Sequence, residues 1–179
     1  MERNYSAALD DLKARFPRVM SLDARLRAVV DVYWAHFGFD RPATVGKRGV
    51  SWCGFYRREV TDEAGQEMTL ICREPKPACS PIGLGGMCGR GWIDEVAYVV
   101  RDVRVLGENY IACDPRDQSE LVVAVWDVWG DSGPCWGVFD VDSYDVGSFD
   151  LSDAEGAIAM LEVAGLCDRA RLQGAVRVL

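Results

Sequence analysis

The sequence predicts one α+β domain built on a largely antiparallel sheet. Three observations carry this. Helical spacing of apolar residues is confined to the two ends of the chain, alternation with period two fills the middle, and tight-turn signals join neighbouring strands in two places. With helices at both ends, one face of the sheet can be covered by them. Two long loops then fall to the other face, where they can enclose a ligand. A length of 179 residues suits one domain. Residues 1–40 read as a helical segment packing as part of that domain, and 41–179 as its main body.

Taken in order, Tyr5 to Arg15 places Ala8, Leu12 and Phe16 at helical spacing before Pro17. Ser21 is a suitable N-cap for a second helix, in which Leu22, Leu26, Val29, Val30, Tyr33, Trp34 and Phe37 form an apolar stripe closed by Gly38. A polar connector covers 39–49. Residues 50–60 and 66–72 read as two strands joined by a hairpin turn at 61–65. Three prolines and three glycines make 74–87 a long loop. A short helix is expected over 88–95, a strand over 97–101, and a second long loop over 102–118. Strands follow at 120–129 and 135–141, the latter read as the last strand, with a turn at 131–134 between them. A polar loop covers 143–150, and Ser152 or Asp153 is expected to cap a terminal helix running to roughly residue 172.

Composition excludes several function classes. The net charge is −8 and there are only three lysines (Lys13, Lys47, Lys76), so the basic surface that a nucleic-acid backbone needs is missing. The single histidine, His36, lies in a helical stretch and cannot serve a multi-histidine metal site. Seven cysteines are an odd number with no C-x-x-C pair, behind a polar N-terminus that does not read as a signal peptide. Such cysteines point to a reducing cytoplasm and to buried or working thiols. No apolar run is long enough to span a membrane.

Three cysteines stand in the long loops: Cys79, Cys88 and Cys113. Loop thiols beside Gly and Pro are accessible, which thiol chemistry requires. The other four (Cys53, Cys72, Cys135, Cys167) read as small buried hydrophobes in strands or in the last helix. Glu120 opens a strand, and Asp140 and Asp142 stand at i, i+2, on one side of the sheet. Such an acidic wall can bind an ammonium group, or hold a proton where burial raises a pKa. Trp52 and Tyr56 at i, i+4 share a face and can wall an apolar slot, or simply be core. Gly83, Gly85 and Gly86 could offer backbone N–H groups to an anion. Asp140 to Leu151 fails the calcium-loop pattern, with Asp145 where glycine belongs and Leu151 at the last ligand position. No metal site is expected.

Together these residues resemble the GAF-domain free methionine-(R)-sulfoxide reductases. The resemblance rests on Trp52-Cys-Gly-Phe-Tyr56, Ala78-Cys79, Gly86-Met-Cys-Gly89, Val100-Arg-Asp-Val103, Ile111-Ala-Cys-Asp114, Ser119-Glu120 and Gly137-Val-Phe-Asp-Val-Asp-Ser143. It implies a GAF-like fold over 41–179 that reduces the R epimer of free methionine sulfoxide in a closed pocket. It implies Cys113 as the attacking cysteine, and Cys79 and Cys88 as the two that can resolve it by forming a disulfide. Glu120, Asp140 and Asp142 are implied as acidic pocket residues, with Glu120 or Asp142 as proton donor, and Trp52 and Tyr56 as the aromatic wall. The implied reductant is of the thioredoxin type, with no metal or organic cofactor. The amphipathic N-terminal helix pair is compatible with a homodimer. Two other readings stand beside this one: a non-catalytic GAF module that binds a small molecule, and a thiol redox sensor.

Overall fold

The computed structural model describes residues 3–16, 20–39, 49–59, 67–110, 113–130, 133–174 and 176–179. Pro17, most of the polar connector, the hairpin turn expected at 61–65, part of the turn at 131–134 and the pair 111–112 lie outside them. The chain opens with two helices, α1 (Tyr5–Arg15) and α2 (Leu22–Phe37). The Asn4 side chain caps the first by accepting from the Ala7 N–H, and the Ser21 hydroxyl caps the second by accepting from the Ala24 N–H. Strands β1 (Trp52–Glu59) and β2 (Glu67–Glu74) follow, then a two-residue strand β3 (Ile82–Gly83), helix α3 (Met87–Asp94) and strand β4 (Ala97–Val100). After a 3-10 segment, Val103–Asn109, come β5 (Ser119–Val125), β6 (Gly137–Ser143), helix α4 (Leu151–Val163) and a terminal strand β7 (Arg177–Val178).

The strands form one sheet in the order β3-β2-β1-β6-β5-β4-β7. Every pairing is antiparallel except that of β4 with β7. The curled mixed sheet and its four helices make an α+β single domain.

Period-two alternation gives the sheet two apolar layers. Cys53, Phe55, Leu121, Val123, Phe139 and Val141 face α1, α2 and α4, in a core that includes Leu12, Leu26, Tyr33, Ile158 and Leu161. Their neighbours Trp52, Tyr56, Val122 and Val138 turn the other way, toward Met87, Cys88, Tyr98 and Leu106. Helix α3 lies close on this second face, because a Cβ at Gly91 would come within 2.7 Å of Val122.

Several sequence expectations are corrected. The strand expected at 135–141 runs from Gly137 to Ser143 and is not the last, because β7 adds to the edge beside β4. The strand expected at 120–129 ends at Val125, where the Trp126 and Val128 amides bond instead to the Leu166 and Gly165 carbonyls. The loop at 74–87 contains β3, and the loop at 102–118 contains the 3-10 segment. Helix α4 is capped by Asp150, whose side chain accepts from the Ser152 and Asp153 amides in a capping box. It ends at Val163, before Gly165 at φ 64°, so Cys167 lies beyond the helix. Cys135 precedes its strand yet is buried, whereas Cys72 is only partly so.

Candidate active site

On the second face of the sheet, Trp52, Tyr56, Cys88, Cys113, Glu120, Asp140 and Asp142 line one cavity. It encloses about 530 Å³ of free space, its mouth included, and Gly83, Gly86, Met87, Tyr110 and Asp117 are also among its lining. Strand register accounts for the grouping. Glu120 pairs with Asp142, Val122 with Asp140, and Trp52 with Asp142 across β5, β6 and β1. These positions therefore share the face turned away from α1, α2 and α4.

The aromatic wall depends on Gly54. A Cβ there would meet the Trp52 ring at 2.4 Å, so the missing side chain lets the indole lie along β1. Trp52 and Tyr56 stand with centroids 5.9 Å apart. Their polar tips hold the loop above. The Trp52 indole N–H donates to the Lys76 carbonyl at 2.9 Å, and the Tyr56 hydroxyl donates to the Cys79 carbonyl at 2.9 Å. The same loop is clasped from outside. Lys76 Nζ donates to the Asp114 carboxylate and, at 3.2 Å, to the Tyr144 hydroxyl. Arg116 donates to Asp114 at 2.7 Å and to Tyr144 at 2.8 Å. Lys76 and Arg116 hold the Asp114 carboxyl well below the usual carboxylate range.

Three carboxyls in the cavity behave oppositely. Burial first, and mutual repulsion second, push Glu120, Asp140 and Asp142 well above the ordinary range. Asp117, accepting from the Ser51 hydroxyl at 2.9 Å, is pushed up to about 6, again chiefly by burial. Among the described lining residues there is no Lys or Arg. The cavity thus suits a cation that shares its protons, and His36 takes no part in it, its ring lying 3.2 Å from Asp11.

All seven cysteines are free thiols, but the loop trio divides. Cys79 and Cys113 are exposed thiols hydrogen-bonded to one another, with Cys113 in the cavity lining and Cys79 outside it. Burial and the bond to Cys79 push the Cys113 thiol up to about 12. Cys88, expected as an accessible loop thiol, is instead buried in the first turn of α3, beside Asp140 and Glu120. Its place in the packed face of a helix explains the correction. Asp117, Tyr110 and Met87 were not singled out in the sequence; they carry no periodic signal, being loop or helix-start residues.

A curled antiparallel sheet with a ligand-sized cavity between its open face and the loops is the architecture of a GAF domain. A solved GAF domain superposes with a TM-score of 0.71 at 25% identity, over 90% of this chain and 88% of that one. The free methionine-R-sulfoxide reductase of Neisseria meningitidis, solved in complex with its substrate, superposes with a TM-score of 0.70 at 27% identity, over 90% of this chain and 86% of that one. In sequence, the free methionine-R-sulfoxide reductase of Saccharomyces cerevisiae is 37% identical over 109 residues, 59% of this chain and 56% of that protein. Aligned segments span between 56% and 67% of the curated relatives' own lengths. No family model matches the chain. The chain has the fold of a GAF domain and is similar to free methionine-R-sulfoxide reductases. Among the described residues, no helix is long and apolar enough to cross a membrane.

Proposed function

We propose that this chain reduces free methionine-(R)-sulfoxide to methionine, using Cys113 as nucleophile. One observation carries the reading: a pair of touching, accessible thiols stands at the mouth of a cavity whose buried carboxyls hold protons. The likeness to the yeast and Neisseria enzymes supports the choice of substrate.

The chemistry follows from the residue types. The substrate ammonium is drawn among the carboxyls, which meet no cationic side chain in the lining. Trp52 and Tyr56 take the S-methyl end. Glu120 or Asp142 donates a proton to the sulfoxide oxygen while the Cys113 sulfur attacks the sulfoxide sulfur. The thiol proton passes to the carboxylate so formed, the protonated oxygen moves from the substrate sulfur to the Cys113 sulfur as the transient sulfur–sulfur bond breaks, and methionine leaves with Cys113 left as a sulfenic acid. The Cys79 thiol then condenses with it, forming a disulfide and releasing water. An external dithiol of the thioredoxin type restores both thiols by exchange, in a reducing compartment. Cys79 takes the resolving role over Cys88 because it already touches Cys113, whereas Cys88 is buried among the carboxyls. No metal or organic cofactor enters these steps.

The test is turnover of each purified epimer of free methionine sulfoxide with a thioredoxin system, read as NADPH oxidation. Consumption with the R epimer alone is expected. No turnover where a known reductase works, with tight binding instead, would replace this reading by that of a binding module. Disulfide formation driven by peroxide but indifferent to the sulfoxide would replace it by that of a redox sensor.

A further inference from the structure

The buried end of the cavity holds a second set of ligands that the reduction does not require together. Cys88 Sγ, a Glu120 oxygen and an Asp140 oxygen all lie within 4.8 Å of one another, and all three residues are buried. Asp140 Oδ1 is shielded from solvent and has no hydrogen-bond partner, although Asp140 is only 6% exposed. An orphaned buried carboxylate oxygen is costly unless a ligand completes it. The three groups come from rigid elements. Glu120 and Asp140 are on the paired strands β5 and β6, and Cys88 is in the first turn of α3, which packs on both strands.

From this geometry we propose that Cys88, Glu120 and Asp140 bind a thiophilic divalent cation of the zinc class, which blocks the pocket to substrate. One thiolate with two carboxylates suits such an ion and leaves a fourth position for water. Magnesium and calcium are disfavoured, since they ask for six or more oxygen ligands. Bonds of about 2.3 Å to sulfur and about 2.0–2.2 Å to oxygen would set the ligand atoms roughly 3.4–3.6 Å apart, so from within 4.8 Å the side chains close by about 1.4 Å at most. The Cys88 proton, and those that burial holds on Glu120 and Asp140, leave to water as the bonds to the metal form, with no change of oxidation state. The ion would occupy the acidic ground assigned above to the substrate ammonium. The competition, but not the cation site itself, rests on that assignment.

Cadmium added to the fully reduced chain without oxygen is the probe, read by its thiolate-to-cadmium charge-transfer absorption. One equivalent is expected to give the band. The double variant Cys79→Ser, Cys113→Ser should keep it with affinity within about threefold, Cys88→Ser should lose it, and Asp140→Asn should weaken binding at least about tenfold, all with melting curves showing a folded chain. A band that survives Cys88→Ser, or that vanishes in the double variant, overturns the site, because the mouth thiols would then hold the ion. Saturating methionine-(R)-sulfoxide should weaken the cadmium affinity at least about tenfold. A Cys88-dependent band that the sulfoxide leaves untouched supports the cation site and counts against the substrate reading instead.

Discussion

The two faces of the sheet are made by the same strands and differ in almost everything else. On the helix-covered face, Phe55, Phe139, Leu121 and Val123 pack against α1, α2 and α4, and one thiol in that layer, Cys53, is sealed off with its pKa pushed well up by burial. On the other face, the next residues along those strands are Trp52, Tyr56, Glu120, Asp140 and Asp142 around a cavity. Burial acts on both faces, but with different consequences. Where it surrounds apolar groups it stabilises the fold. Where it surrounds carboxyls with no counter-ion it keeps protons on them, which disfavours the folded chain at neutral pH and leaves a site ready for a cation or a proton transfer. The rigid face lets the costly face persist.

Exchanging one thiol on each side tests that division most sharply. Cys113→Ser should cut turnover of the R epimer by at least about a thousandfold while leaving the melting temperature near that of the unchanged chain. Cys53→Ser should do the reverse, since it buries a hydroxyl among apolar side chains: about 1–3 kcal/mol of stability lost in denaturant titration, with kcat per folded molecule kept. A Cys113→Ser variant with near-normal turnover would break the comparison.

The carboxyls come next. Glu120→Gln and Asp142→Asn each keep shape and remove the proton. Whichever is the donor should lose about 10²- to 10⁴-fold in kcat and shed the alkaline limb of its pH profile. The other should mainly raise KM, having lost a partner for the ammonium. Equal, pH-independent losses in both variants would show that neither hands over a proton.

How far the sequence foretold this arrangement follows the same division. Strand alternation was legible, and together with the pairing register it brings Trp52, Tyr56, Glu120, Asp140 and Asp142 onto one face. The two-residue strands β3 and β7 were not, because two residues carry no period, and their pairing is decided by the neighbouring strand. The burial of Cys88 was hidden because a position in a helix's first turn says nothing of which way that helix packs. Helix α4 stops short of the residue 172 expected for it because Gly165, a residue suited to positive φ, turns the chain just past Val163. The Lys76–Asp114–Tyr144 clasp joins segments dozens of residues apart and leaves no local signature.

That clasp is where a smaller effect is expected. It fastens the loop of Cys79 to the loop of Cys113, so in the proposed reaction it bears on resolution and not on attack. Lys76→Ala should leave the single-turnover release of methionine within about twofold, and slow Cys79–Cys113 disulfide formation by roughly three- to tenfold, as proximity is lost. Trapping of the sulfenic acid by a dimedone-type reagent should rise in step. Unchanged disulfide kinetics would mean that Trp52 and Tyr56, bonded to the same loop from inside, position it without help.

The smallest effect concerns stability, and its sign separates the cavity from an ordinary acidic surface. Asp117 is raised from 3.8 to about 6, with burial as the main cause. A carboxyl that binds its proton more tightly folded than unfolded contributes stability below its unfolded pKa, and that contribution is lost as pH rises through the folded value. An acidic residue fixed by basic partners, such as Asp114, works the other way, contributing at neutral pH and losing that contribution in acid. Asp117→Asn should therefore gain on the unchanged chain as pH rises from about 4 to about 7. The Ser51 hydroxyl can still donate to the amide oxygen, so the difference isolates the charge. Melting temperatures of both chains across that window provide the check. A constant offset would mean that Asp117 is ionised throughout, and that the cavity mouth is wetter than its burial implies.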